Sequence, residues 1–178
     1  MDYETVRKKY QPKHIKVLLI AESPPPVSAD TPSSRHFYRS DRPRRDDRLF
    51  TNTIKALYPE AADLTEAQIQ PDKEKWLRRF EQDGYYMIEA LENSQEHEVS
   101  KKQRQERIQA GLPRLIERVR ELATEDTKIV LIKSNPFVIA AEPLRQNGFT
   151  VLNTELVDYP GRFNQRAYRE KLAKLVGF

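Results

Sequence analysis

The sequence predicts an α/β domain of three layers: a doubly wound, four-stranded parallel sheet flanked by helices. Three observations carry that expectation. Four short apolar runs alternate with longer segments of helical periodicity. The first run is apolar at consecutive positions, as a strand covered on both faces requires. The segments between runs are long enough to serve as right-handed crossovers, giving the order strand, helix, four times over.

Each element has its own reason. Lys16 to Ala21 ("KVLLIA") is the first strand, and Pro24 to Pro26 end it because proline supplies no donor to a ladder. A helix is expected from about Asp47 to Leu57, capped by Asp46 or Asp47. Residues Tyr58 to Asp83 are polar and helix-permissive, with Trp76, Leu77 and Phe80 as a small apolar stripe. After Gly84, "YYMIEAL" reads as the second strand. The charged stretch from Ser94 to Gln109 reads as a solvated loop grading into a helix whose inner face runs from Ile108 to Leu122, with Gly111 and Pro113 disturbing its start. "KIVLIKSN" (Lys128 to Asn135) is the third strand. Asn135 as N-cap, Pro136 at the first helical position and Gly148 past the end delimit the next helix. "FTVLNTELV" is the fourth strand, and Asn164 caps a final helix with Tyr168, Leu172, Leu175 and Val176 facing inward.

Residues 1–178 fit one domain with a core of ordinary size. The net charge of +4 and a pI near 9.2 favour an anionic partner such as nucleic acid. Without cysteine the chain has no disulfide, thiolate metal site or cysteine nucleophile. The first residues contain no apolar leader-like stretch, so a cytoplasmic monomer with no membrane association is expected. His14, His36 and His97 form no metal-ligand pattern, and no metal or cofactor is expected.

Ligands of open parallel sheets bind beyond the carboxyl ends of the strands. Those tips carry Glu22 and Ser23, Glu89 and Glu92, Ser134 and Asn135, and Asp158 and Tyr159. There is no phosphate-binding P-loop, no G-x-G-x-x-G after the first strand and no G-x-S-x-G around Ser23. The prolines of "ESPPP" would stiffen the turn that presents Glu22 and Ser23, lowering the entropy cost of an arranged site.

The turn "AESPP" (Ala21 to Pro25) after the first strand, together with "YPG" (Tyr159 to Gly161) and the following "RFN", resembles the paired strand-end turns of the uracil-DNA glycosylase superfamily. The likeness implies that fold, and a protein acting on a flipped or single-stranded nucleotide, with DNA as partner. It implies Glu22 as the group that orients water or stabilises a cationic sugar, with Ser23 beside it and Tyr159 where members carry histidine. Phe37, Tyr38 or Phe50 would supply a stacking ring, and Glu89 or Asn135 the base-reading group. Arg162 and Phe163 stand where wedge residues occur. Ser23, Tyr159 and Gly161 depart from the commoner motif residues. A carboxylate at position 89 would suit an amino-bearing base better than uracil.

Six arginines (Arg35, Arg39, Arg42, Arg44, Arg45, Arg48) lie among two aromatics and three aspartates, leaving a local charge of +3. That density suits phosphate contact. The run from Lys101 to Arg107 reads as a solvated helix face. The leading expectation is a base glycosylase-like protein that hydrolyses an N-glycosidic bond. Its alternatives are an inactive nucleic-acid or nucleotide binder of the same fold, and a small-molecule hydrolase using the same pocket.

Overall fold

A computed structural model describes residues 3–25, 36–41, 47–93 and 99–177. Its four parallel strands are β1 (Val17–Ala21), β2 (Tyr85–Glu89), β3 (Lys128–Leu131) and β4 (Thr150–Val151), in the spatial order β2-β1-β3-β4. The α-helices among the described residues are α1 (Tyr3–Lys8), α2 (Arg48–Leu57), α3 (Glu66–Ile69), α4 (Lys73–Gln82), α5 (Lys101–Leu122), α6 (Ser134–Gln146) and α7 (Gln165–Val176). None of them is long and apolar enough to cross a membrane.

All five residues of β1 are buried, because it pairs with β2 on one side and β3 on the other. The chain leaves β1 toward β2, then returns through α5 to β3 on the opposite side. Right-handed crossovers in opposite directions place their helices on opposite faces. In keeping with this, α2 packs on α7 and α5 packs on α6. The winding reverses between β1 and β3, where the diverging connections leave a crevice at the carboxyl ends.

Three elements differ from the sequence expectation. Helix α5 begins at Lys101, within the stretch read as a loop grading into a helix, and its start is not disturbed at Gly111 and Pro113. Ser100 Oγ accepts from the Gln103 amide at 3.2 Å, and Gln103 Oε1 accepts from the Ser100 amide at 2.9 Å. This capping box fixes the start. The helix then runs through Gly111 and Pro113 because Ile108, Leu112, Leu115 and Val119 are buried, while Gln109 and Pro113 are both exposed. A carbonyl deprived of its helical donor is solvated there.

Helix α6 starts at Ser134 with Lys133 in the N-cap position and no side-chain cap, so Asn135 is not the N-cap. Pro136 still falls in the first turn, where amide hydrogens have no helical partner.

Strand β4 is shorter than Phe149 to Val157, comprising Thr150–Val151 and an isolated bridge between Ile132 and Val157. Between them, Asn153 turns inward. Its Oδ1 accepts from the Leu131 amide at 2.7 Å and its Nδ2 donates to the Leu131 carbonyl at 2.9 Å. A side-chain amide thereby replaces one rung of backbone pairing. Helix α1 had no apolar pattern to announce it.

The expected caps at Asp47 and Asn164 are found at those positions. Asp47 Oδ1 accepts from the Phe50 amide at 3.4 Å, whereas the Asn164 side chain turns to Asp158. Asp47 also forms a buried pair with Lys73 at 2.5 Å, and Lys73 donates to the His36 carbonyl at 3.2 Å. Burial pushes the Asp47 carboxyl up and the Lys73 ammonium down from their ordinary values. Both charges depend on each other for solvation. Lys73→Met should therefore destabilise the fold by about 3–5 kcal/mol, since Asp47 is left buried without a cation. Urea denaturation measures the loss, and Asp47→Asn in the same chain should recover part of it.

Candidate functional site

The buried run Leu18 to Ile20 delivers Glu22 to the carboxyl ends of the adjoining strands β1 and β3. Two bonds extend the ladder past the strand ends and hold its backbone. The Ala90 amide donates to the Ala21 carbonyl at 2.8 Å, and the Leu91 amide donates to the Glu22 carbonyl at 2.9 Å. The proline turn is tied down as well, by the Tyr3 hydroxyl donating to the Pro25 carbonyl at 3.1 Å. Ser23 is half-buried in that turn, and Pro26 lies outside the described residues.

Glu22 is 4% exposed and accepts from three side chains. Its Oε1 takes Lys133 Nζ at 2.8 Å and an Arg104 guanidinium nitrogen at 3.0 Å, while its Oε2 takes Asn135 Nδ2 at 2.9 Å. Burial raises the Glu22 carboxyl, but the Lys133 hydrogen bond and charge, with Arg104 and Asn135, outweigh it and hold the group below its ordinary value. The carboxylate is ionised at neutral pH. Two cations against one anion leave this cluster with a net charge of +1, and both cations keep partial solvent exposure.

The other donors are positioned by the fold. Lys133 lies two residues past β3, and its amide donates to the Val157 carbonyl at 2.7 Å. It is the one described non-glycine residue with positive φ, at φ 79° and ψ 155°. That region is essentially reserved for glycine and costs about 1–3 kcal/mol. Asn135 is 3% exposed, and its Oδ1 has no protein donor. Arg104 stands in the first turn of α5, where a second hydrogen bond, to the Val99 carbonyl at 3.1 Å, steadies it.

Of the residues singled out in the sequence, Glu22 and Asn135 come together. Lys133 connects the early acidic turn to the late one, since its side chain holds Glu22 and its amide holds Val157, two residues before Tyr159. Tyr159 is 40% exposed, Phe163 is 91% exposed, and the Arg162 guanidinium lies 5.8 Å from the Phe163 ring.

Glu89 does not join this cluster. It stands level with Ala21 in the β1–β2 register, so strand alternation sends it to the face opposite Glu22. There it is buried and bonded to Arg7 at 2.5 Å, with His36 Nε2 3.4 Å away.

The stacking candidates are core residues: Phe37, Tyr38 and Phe50 are at most 3% exposed. Phe37 packs edge-on against Tyr38 and Phe50, and the Tyr38 hydroxyl accepts from the Met87 amide at 2.6 Å, covering the outer edge of β2. Buried this way, they do not offer a free ring for stacking; their burial staples the segment around Phe37 and Tyr38 to the sheet.

Arg39 is likewise buried and bonded through two nitrogens to Asp41, at 2.8 and 3.1 Å, so it does not present a phosphate-binding fork. Arg48 is half-buried at the start of α2, and Arg42, Arg44 and Arg45 lie outside the described residues. Among the described residues no cluster of three or more His, Asp or Glu side chains could hold a metal ion.

Lys133 and Arg104 were not among the sequence candidates. Lys133 could have been found as the last residue before the polar tip of the third strand. Arg104 was hidden in a charged run that otherwise reads as a solvated face. No protein-family model, curated protein or solved structure matches the chain.

Because the folded Glu22 carboxyl titrates below its ordinary value of 4.5, its ionised form contributes stability above that pH. The contribution disappears as pH falls through the lower, folded value. Wild type should exceed Glu22→Gln in Tm at neutral pH, and the gap should narrow below about pH 4.5. Thermal unfolding monitored by circular dichroism across pH 3–8 checks this.

Proposed function

We propose that the chain is a uracil-DNA glycosylase-like protein that takes an extruded or single-stranded nucleotide at the carboxyl ends of β1 and β3 and hydrolyses its N-glycosidic bond. The observation that carries this reading is the buried, ionised Glu22 at the reversal of the sheet, adjoined by an amide with a free acceptor. A carboxylate held below its ordinary pKa is a weak general base. Its use is electrostatic: it stabilises positive charge developing on the sugar as the base departs. Three donors leave one of its roughly four acceptor positions for a water molecule. Asn135 Oδ1 is an acceptor suited to an N–H on a base edge, and the partly exposed Lys133 and Arg104 suit phosphate. Arg162 and the exposed Phe163 suit the gap left by an extruded base.

A second reading, binding without hydrolysis, is favoured by a specific observation. Both Glu22 oxygens are already engaged, and the late turn carries Tyr159 rather than histidine.

Free-base release from single-stranded and duplex oligonucleotides bearing uracil, hypoxanthine, xanthine or alkylated bases separates the two. Wild type should release at least one base, and Glu22→Gln should slow that release by about 10²–10³-fold. If wild type releases none while oligonucleotide affinity falls steeply with salt and survives Glu22→Gln, the protein is a binder.

A further inference from the structure

A second site lies well away from Glu22. A cavity of about 220 Å³ opens between α1, β2 and α5. Arg118, which lines it, follows Arg104 by fourteen residues on α5, or about 21 Å along the helix. The cavity has an apolar side, formed by Tyr86, Ile88 and Leu122, and a charged side, where Arg7, Arg118, Lys8 and Arg114 stand among Glu4, Glu92 and Glu121.

The two deeper cations are unusual. Arg7 and Arg118 are 8% and 6% exposed. Arg7 is neutralised by Glu89 at 2.5 Å. Arg118 is not matched as well. One terminal nitrogen donates to the Glu89 carbonyl at 3.0 Å, and Nε reaches the half-exposed Glu92 at 3.3 Å. The other terminal nitrogen is buried with no acceptor. A guanidinium has five N–H donors, and burying a charged donor unpaired is costly.

From this unpaired nitrogen, on a side chain that lines the cavity beside a second buried guanidinium, we propose that the cavity binds a phosphate group, held by the terminal nitrogens of Arg118 with Arg7 alongside. Burial, and next the neighbouring Arg7 charge, hold Arg118 below its ordinary pKa, a repulsion that a bound dianion relieves. A tetrahedral oxyanion can accept from the unpaired terminal nitrogen of Arg118 and from the second N–H of the other terminal nitrogen, a paired geometry that a lysine cannot reproduce. Glu4 and Glu121 pair with the outer cations Lys8 and Arg114, and Glu89 with Arg7, leaving Arg118, whose Glu92 partner is half-exposed, as the anion-seeking part of the lining. The apolar side would accept the carbon portion of a phosphate monoester.

The test titrates the full chain with inorganic phosphate, a 5′-phosphorylated dinucleotide or succinate, each against chloride at matched ionic strength, reading Tm and the Arg118 Nε–H NMR resonance. Phosphate should raise Tm and shift that resonance in wild type. In Arg118→Lys, which keeps the charge and loses the fork, apparent affinity should fall at least about tenfold. Leu122→Trp, which fills the cavity from its apolar side, should abolish the response. If Arg118→Lys does not fold, Leu122→Trp decides alone. Response to the dinucleotide but not to the free ion identifies a phosphate ester as the ligand. A wild-type response no larger than chloride's, a response to succinate alone, or one unchanged in Leu122→Trp overturns the proposal.

Discussion

A carboxylate removed from water at the end of a buried strand must be met by positive charge and hydrogen-bond donors, and at Glu22 those come from three separate parts of the chain. Lys133 arrives from just past the end of β3, Asn135 from the first turn of α6, and Arg104 from the first turn of α5. The carboxylate therefore joins the central strand to its neighbour and to two helices on one face. Its placement follows from the winding of the sheet, since β1 and β3 diverge in their connections at that end. Removing the negative charge would leave a lysine and an arginine facing each other across an amide, so the cluster is held by the charge it surrounds.

Charge burial recurs on the other side of the molecule, with a different result. Asp47 with Lys73, and Glu89 with Arg7, lie in the interior and flank the segment from His36 to Asp41. Lys73 holds the His36 carbonyl, Glu89 lies beside the His36 ring, and Phe37 and Tyr38 insert between the helices and the edge of β2. A stretch that is polar in composition is thus fixed by two aromatics and two ion pairs, and it closes the open edge of the sheet.

Much of the architecture was legible because strand and helix periodicities depend on local sequence. The apolar run before Glu22 and the one before Lys133 stand out by length and branching, and Asp47 and Asn164 stand before their helices in plain view. What escaped was what depends on side chains acting as backbone or on partners far along the chain. Asn153 shortens β4 by bonding both polar groups of Leu131, twenty-two residues away in sequence, and no periodicity registers that. Glu89 could be recognised as a strand-end acid, but its face was set by register with Ala21. Arg104 lies eighty-two residues from Glu22, in a run whose other charges are solvated.

The backbone of Lys133 narrows what can occupy that position. Glycine would relax the torsion and lose the ammonium; most other residues would retain the torsional cost and lose the cation too. Arginine alone keeps the charge, and it must fit a planar fork where a point charge now sits. The joint between β3 and α6 is thus a narrow gate for sequence drift: the repertoire allowed there is set jointly by a dihedral angle and by a charge on another strand.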